Sequence, residues 1–118
     1  MLNPLLLEGQ VHGGVAQGLG QILFEDVSYD PITGQMLTGS FMDYAMPRAE
    51  DTPAFRSKLL EVPSPSNPLG IKPGSEGGTA VAPAAVANAI VDALKDCGVS
   101  HIELPATPER VWRAMSGN

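Results

Sequence analysis

The sequence predicts an α+β fold in which about three helices accompany a small mixed or antiparallel sheet of about four strands. Three stretches carry apolar residues at helical spacing, and short β-prone stretches flank a Pro/Gly turn. The chain also has 13 glycines and 11 prolines among its 118 residues, which indicates many turns. We find no linker or internal repeat in the sequence, so residues 1–118 are expected to form a single domain or part of one.

The first predicted helix covers residues 8–24 and contains an apolar stripe made by Val11, Val15, Leu19 and Ile22. Glycines interrupt the same segment, and each interior glycine costs a helix about 1 kcal/mol relative to alanine. Such a composition is understandable where another backbone or a ligand must approach closely. We therefore expect this helix to depend on tight packing or on a bound molecule.

The second predicted helix has the clearest periodicity, because Ile90, Leu94 and Cys97 recur on one face. Pro83 suits the first turn of a helix, and Gly98 stands where a glycine commonly ends one. The pattern predicts that Cys97 lies in the core.

The third predicted helix starts from a strong local signal. Thr107 is a good N-cap and Pro108 suits the first helical position. Val111, Trp112 and Met115 form the apolar side of this helix, and we expect them to be packing residues.

The predicted strands are short. Residues 25–30 and 35–40 flank a Pro/Gly turn and read as a β-hairpin, while residues 57–62 and 101–104 supply a third and a fourth strand. The segment between the hairpin and the third strand is predicted to be an irregular loop. Its Asp43, Tyr44 and Arg48 are expected to be ordinary loop residues, with a subunit contact as the alternative.

Composition excludes several function classes. The net charge is −6 and the basic residues are scattered, which argues against a nucleic-acid-binding surface. A single cysteine, Cys97, rules out an internal disulfide and a cysteine-built iron–sulfur or zinc site within this sequence. His12 and His101 lack partners at metal-ligand spacing, so structural roles are expected for both.

No apolar run has the length of a membrane span. Residues 1–7 lack a basic start and contain Pro4, so they make a poor signal peptide. These observations together predict a cytoplasmic protein.

Three stretches of the sequence together resemble one protein family. They are EGQVHGGVAQGLGQ at residues 8–21, GSFMDYAMPRA at residues 39–49 and NPLGIKPGSEGGT at residues 67–79. The closing LPATPERVWRAM at residues 104–115 fits the same pattern. In this order they resemble the C-terminal part of the molybdopterin-binding large subunits of the molybdenum hydroxylases, the group of xanthine dehydrogenase, aldehyde oxidase and carbon monoxide dehydrogenase.

The resemblance implies a role for Glu76 as the general base beside a molybdenum held by a pterin. Family members hydroxylate a carbon centre with oxygen from water, and their substrates include aldehydes, N-heterocycles and, in one branch, carbon monoxide. Gln10 looks like the residue whose amide contacts the pterin. Free N–H groups at Gly13, Gly14 and Gly77 could hold phosphate or pterin oxygens, and we expect the cofactor to be the reason for the glycines of the first helix. The small residues Gly74, Ser75 and Gly77 would let the cofactor and the substrate reach Glu76. No side chain of this chain is expected to ligate the metal.

The loop around Glu76 departs from the family pattern. Many members read K-G-x-G-E, whereas this chain reads Lys72-Pro73-Gly74-Ser75-Glu76. Pro73 fixes φ where a glycine would be free, and a Pro-Gly pair still suits a tight turn. Lys72 is expected to be a loop cation, with Glu76 as a conceivable charge partner.

The resemblance also implies what else an active enzyme requires. Its cofactor would be molybdenum–molybdopterin in the dinucleotide form, with iron–sulfur clusters and FAD on other chains. Its partners would be the remainder of the molybdopterin-binding subunit, the iron–sulfur and flavin subunits, and a small-molecule substrate. The chain alone is expected to be inactive.

Two other functions compete with this hypothesis. The chain is alternatively a non-catalytic remnant or interaction module that binds a partner subunit. A nucleotide-binding glycine loop is a weaker alternative, because no glycine-rich segment follows a predicted strand and ends in Gly-Lys-Ser/Thr.

Overall fold

A computed structural model describes residues 1–117 and contains three α-helices. Helix α1 spans Pro4–Leu23, α2 spans Ala82–Leu94 and α3 spans Pro108–Ser116. Short 3-10 turns occupy Ala49–Asp51 and Lys95–Cys97. The long connection between α1 and α2 is otherwise irregular or extended. None of the described helices is long and apolar enough to cross a membrane.

Helix α1 begins earlier than the sequence analysis predicts. The Asn3 side chain accepts a hydrogen bond from the Leu6 backbone N–H at 3.1 Å, and Pro4 occupies the first turn. Proline fits there because its missing N–H has no partner in the first turn of a helix. Asn3 and Pro4 therefore start α1, and the apolar residues 5–7 belong to the helix.

The ends of α2 and α3 confirm the predicted local signals. The chain leaves the 3-10 turn after α2 at Gly98, whose φ of +79° lies in the left-handed region. Thr107 accepts the N–H of Arg110 at 3.4 Å, and Pro108 is the first residue of α3.

Close approach explains why α1 contains buried glycines. A β-carbon at Gly14 would lie 2.8 Å from the Thr79 backbone nitrogen, and one at Gly18 would lie 2.7 Å from the Ala82 β-carbon. A β-carbon at Gly20 would lie 2.9 Å from Pro47 Cδ. The chain's own packing therefore accounts for these three glycines, and the prediction that the cofactor sets the glycine content of this helix is wrong at these positions.

The core is small and lies near the end of α2. Leu94, Ile102 and Ala106 are buried together, and Val111 and Ala114 of α3 pack against them. Arg110 links α3 to the segment that follows α1, since its guanidinium contacts the Asp26 carboxylate at 3.3 Å and the Pro105 carbonyl oxygen at 2.8 Å. Ile22 at the end of α1 is also buried, and its carbonyl oxygen accepts the Ala106 N–H at 2.6 Å.

The predicted sheet is not present in residues 1–117. The hairpin reduces to one antiparallel bridge between Tyr29 and Met36 around the turn at Asp30–Gly34. Residues 57–62 form no strand and no backbone hydrogen bonds to another described segment, and residues 101–104 form no strand. β-prone residues form a strand only when a neighbouring strand satisfies their backbone groups, and this stretch of chain offers none.

Three packing predictions from the sequence are also wrong for this chain. Cys97 is exposed, because the core at the end of α2 stops at Leu94. Trp112 and Met115 are 62% and 52% exposed, because α3 turns a different face towards the core. Periodicity identifies the apolar residues of a helix, but the neighbours decide which of them are covered.

The chain is open rather than compact. Its Cα radius of gyration is 18.2 Å, whereas a compact chain of this length has about 13 Å. Its accessible surface is 8846 Å², against roughly 6,100 Å² for a folded monomer of this mass. Large apolar side chains contribute to this surface, and Leu2, Leu5 and Leu6 near the start of α1 are 75%, 78% and 67% exposed.

Candidate functional site

A cavity of about 780 Å³ lies beside the N-terminal half of α1, and we call it the α1 cavity. Its walls are the start of α1 up to Gln10, the extended segment 59–63 and the loop 69–75. This volume falls in the range of about 300–1,000 Å³ that small-molecule sites occupy. Leucine side chains supply much of the surface, and a few polar groups interrupt it.

The α1 cavity brings together three of the predicted cofactor-binding residues. Gln10 reaches it from α1, while Gly74 and Ser75 reach it from the loop. These positions are more than sixty residues apart in the sequence, and only the fold makes them neighbours. At Gly74 a β-carbon would collide with the Leu7 side chain, so the loop lies directly on α1 there.

Glu76 directly follows the cavity-lining Ser75 and is exposed. Its carbonyl oxygen accepts the Ala80 N–H at 3.0 Å, which fixes the turn that leads into α2. The carboxylate of Glu76 makes no ion pair within residues 1–117. Helix α2 begins at Ala82, so Glu76 lies well before its first turn.

The remaining predicted glycines occupy two kinds of environment. Gly13 and Gly77 are exposed, and a β-carbon at either would meet nothing within 4 Å. Gly14 is buried against the turn at Gly78 and Thr79, whose hydroxyl lies 3.4 Å from the Gly14 carbonyl oxygen. None of the three lines the α1 cavity.

Two residues shape the loop and were not singled out from the sequence. The Asn67 side chain forms hydrogen bonds of 2.9 Å with both the N–H and the carbonyl oxygen of Ile71. Gly70 has a φ of +65°, and a β-carbon there would lie 2.8 Å from the Pro63 β-carbon. The Asn-Pro pair and the following glycine are turn signals that could have identified this bend.

Charge in the α1 cavity is unevenly compensated. Glu61 pairs with the amino group of Met1 at 2.6 Å. Lys72, which also lines the cavity, makes no ion pair among residues 1–117. Its ammonium group is thus available to an anion that enters the cavity.

The groups with shifted pKa values lie outside the cavity. A hydrogen bond from the Tyr44 hydroxyl to the Glu25 carboxylate, 2.6 Å long, raises the pKa of Tyr44, and burial and the negative charge add to this. Hydrogen bonds from the backbone N–H and hydroxyl of Thr33, followed by the N–H of Ile32, lower the pKa of Asp30.

The chemistry of the cavity fits a pterin and does not resemble a protein-built metal centre. The Gln10 amide donates and accepts, and the Ser75 hydroxyl does both as well, as the edge of a pterin requires. In the described part of the chain, no group of three or more His, Cys, Asp or Glu residues could hold a metal ion.

Comparison with known proteins identifies the group to which these features belong. A molybdopterin cofactor-binding domain family matches residues 1–53. The chain is 46% identical over 117 residues to the nicotine 6-hydroxylase large subunit of Paenarthrobacter nicotinovorans, covering 99% of this chain and 14% of that protein. It is 33% identical over 114 residues to the carbon monoxide dehydrogenase large chain of Hydrogenophaga pseudoflava, covering 97% and 14%.

The fold of the chain is also similar to that of a solved structure. Quinoline 2-oxidoreductase from Pseudomonas putida 86 superposes with a TM-score of 0.91 at 47% identity, over 98% of this chain and 15% of that one. The chain spans about a seventh of the length of the curated relatives. Over nearly its whole length it is therefore similar to a segment of the molybdopterin-binding large subunits of molybdenum hydroxylases, which its motifs also resemble.

Proposed function

We propose that this chain forms one wall of the molybdopterin site of a molybdenum hydroxylase and that Glu76 is the general base of that site. The observation that carries the proposal is the meeting of Gln10, Gly74 and Ser75 in one cavity, with Glu76 as the next residue along the loop. Residues identified from two distant motifs thereby face a single volume of ligand size.

The chain's own groups would hold the cofactor by hydrogen bonding and close contact. Gln10 would bind the pterin edge through its amide, and Ser75 would add a hydroxyl from the loop 69–75. The bare surfaces at Gly13 and Gly77 would let further cofactor atoms approach, because no side chain stands in front of them. When bound, molybdenum–molybdopterin in its dinucleotide form would supply the two-electron oxidation.

Glu76 would accept a proton as oxygen from water is transferred to the substrate. A base of this kind must be free of a cationic partner and next to the reacting group. The exposed carboxylate meets the first condition within residues 1–117, and its position directly after Ser75 supports the second.

The substrate would be an aldehyde, an N-heterocycle or a similar small molecule, with carbon monoxide as a further possibility. The named relatives act on nicotine and carbon monoxide, and the structural relative acts on quinoline, which supports this class. The other walls of the site would come from the remainder of the large subunit. Iron–sulfur and flavin subunits in the cytoplasm would then remove the electrons.

The open shape of the chain supports an assembly of this kind. The chain exposes about 2,700 Å² more surface than a compact monomer of its mass. The exposed leucines near the start of α1 are part of this surface, which supports contact with other polypeptide at that end of the helix. The chain alone would be inactive. The same exposed surface would also suit a non-catalytic module that binds a partner subunit, which is the second candidate function.

The test is the Glu76→Gln variant in the complex assembled with the rest of the large subunit. We expect molybdenum content to be unchanged and turnover to fall about 10²- to 10⁴-fold, which is the usual contribution of a general base. Glu103→Gln is the matched control, because Glu103 is exposed and lies outside the cavity.

Unchanged turnover in Glu76→Gln would remove the base assignment while leaving the cofactor site intact. A wild-type complex that assembles without molybdenum would instead favour the non-catalytic module.

A further inference from the structure

Lys72 is an uncompensated positive charge in the wall of the α1 cavity. The cavity is also lined by Glu61 and the Met1 amino group, but these two groups pair with each other at 2.6 Å. Lys72 has no ion-pair partner among residues 1–117. The chain as a whole carries a net charge of −6, and Lys72 places a positive charge beside the predicted cofactor contacts.

The position of Lys72 relative to Gln10 and Ser75 limits what it can bind. All three residues line the same volume, so a ligand that contacts Gln10 and Ser75 also lies within the cavity that Lys72 borders. Lys72 is exposed, and Glu61, the acidic residue in the described wall of the cavity, is already paired with the Met1 amino group. A suitable ligand is therefore largely uncharged where it meets Gln10 and Ser75 and anionic elsewhere.

Molybdopterin has this division, because its neutral pterin ring is joined to a phosphate. We propose that Lys72 binds the phosphate of the molybdopterin cofactor, an inference that rests on the proposed function. A lysine ammonium acts on phosphate as a compact point charge with three donors. Lys72 is thus a cofactor-anchoring residue with no part in proton transfer, and the loop that carries Glu76 is held to the cofactor at both ends.

The experiment measures cofactor retention in the assembled complex, independently of turnover. Lys72→Met removes the charge with a side chain of similar length, and Lys72→Arg keeps the charge. Lys58→Met is the control, because Lys58 also has no ion pair among the described residues and lies outside the cavity. We expect Lys72→Met to release molybdenum and pterin about tenfold to a hundredfold faster, as loss of a charged hydrogen bond predicts. Lys72→Arg and Lys58→Met should release them at nearly the wild-type rate.

A second measurement identifies the bound group as phosphate. Inorganic phosphate should speed cofactor release from the wild type more than chloride at equal ionic strength, and Lys72→Met should not distinguish the two salts. Equal release from wild type and Lys72→Met would overturn the inference. So would an equal loss of stability in the cofactor-free and loaded Lys72→Met complexes, because that result indicates an ion pair with protein.

These outcomes are separate from failure of the proposed function. A wild-type complex without molybdenum or pterin would overturn both proposals. Wild-type retention in Lys72→Met, combined with lost turnover in Glu76→Gln, would overturn only the role of Lys72.

Discussion

Two adjacent glycines of α1 should respond in opposite ways to the same substitution. Gly13 has open space where a β-carbon would stand, whereas a β-carbon at Gly14 would lie 2.8 Å from the Thr79 nitrogen and 2.9 Å from the Thr79 hydroxyl. Alanine at either position gains about 1 kcal/mol of helix propensity. Because this gain is common to both variants, the difference between Gly13→Ala and Gly14→Ala isolates the packing against Thr79.

The size of that difference follows from the neighbour at Gly14. The nearest atom belongs to the backbone of Thr79, which cannot rotate away as a long side chain would. Forcing a methyl group into a filled space typically costs about 1–3 kcal/mol. We therefore expect Gly13→Ala to raise the free energy of unfolding by about 1 kcal/mol. The free energy of unfolding of Gly14→Ala should be lower than that of Gly13→Ala by about 1–3 kcal/mol.

The assay is urea unfolding of both variants, followed by far-ultraviolet circular dichroism, which reports the helices. Gly9→Ala provides a control, since a β-carbon there would also meet nothing within 4 Å. Equal stability of the Gly13 and Gly14 variants would refute the close contact between α1 and the turn before α2. In the assembled complex, Gly13→Ala should in addition lower molybdenum content if cofactor atoms approach that open surface.

Two predictions concern the titrating groups outside the cavity. The first is measured in a Tyr29→Phe background, which leaves Tyr44 as the remaining tyrosine. Glu25→Gln should move the pKa of Tyr44 down towards its ordinary value, because the carboxylate that accepts its hydrogen bond is lost. Phenolate absorbance measures this pKa, and an unchanged titration would contradict the 2.6 Å hydrogen bond. Thr33→Val should raise the lowered pKa of Asp30, while the backbone N–H groups keep it below its ordinary value. Since the folded-state pKa of Asp30 is lowered, its stabilisation of the turn is present above the ordinary pKa and is lost as pH falls through the lowered one. The carboxyl carbon shift in an NMR titration follows both changes, and an Asp30 titration that Thr33→Val leaves unaltered would exclude the hydroxyl as a donor.

The sequence predicted helix ends well because the responsible interactions are local. Thr107 caps a helix three residues ahead of its bonded N–H, and Gly98 needs only its own φ to end one. The missed start of α1 at Pro4 is of the same kind, since Asn3 is an equally local cap. Signals that act within one turn of chain can be read without knowing the fold.

Strands and buried faces were predicted less well because they depend on distant partners. The segment 57–62 has strand-like residues, yet Leu60 is 82% exposed and no neighbouring strand exists in the described chain. Trp112 illustrates the same problem on a helix, because the residues that cover α3 select Val111 and Ala114 instead. A sequence pattern identifies the residues that a partner segment could bury, and the fold decides whether such a segment covers them.

For the candidate site, resemblance and structure contributed different information. Resemblance named Gln10 and Glu76, while the small side chains of Gly74 and Ser75 suggested a place for the cofactor, and the fold brings Gln10, Gly74 and Ser75 to one cavity. Gly14 was predicted to offer its N–H group to the cofactor, and the structure supplies a packing reason for it at Thr79. The sequence analysis predicted Lys72 to be a loop cation, and its position in the cavity wall is visible only in three dimensions.

Helix α1 connects the fold to the site because its two sides serve different neighbours. Gly14 and Gly18 face the chain itself, and at both positions contact with Thr79 or Ala82 leaves no room for a side chain. Gly9 and Gly13 have no such contact, although each still costs the helix about 1 kcal/mol relative to alanine. Packing inside residues 1–117 therefore explains Gly14 and Gly18, and it gives no reason for Gly9 and Gly13. Since Gln10 projects from the same stretch into the α1 cavity, the unexplained pair is where we expect the cofactor or the rest of the subunit to make contact.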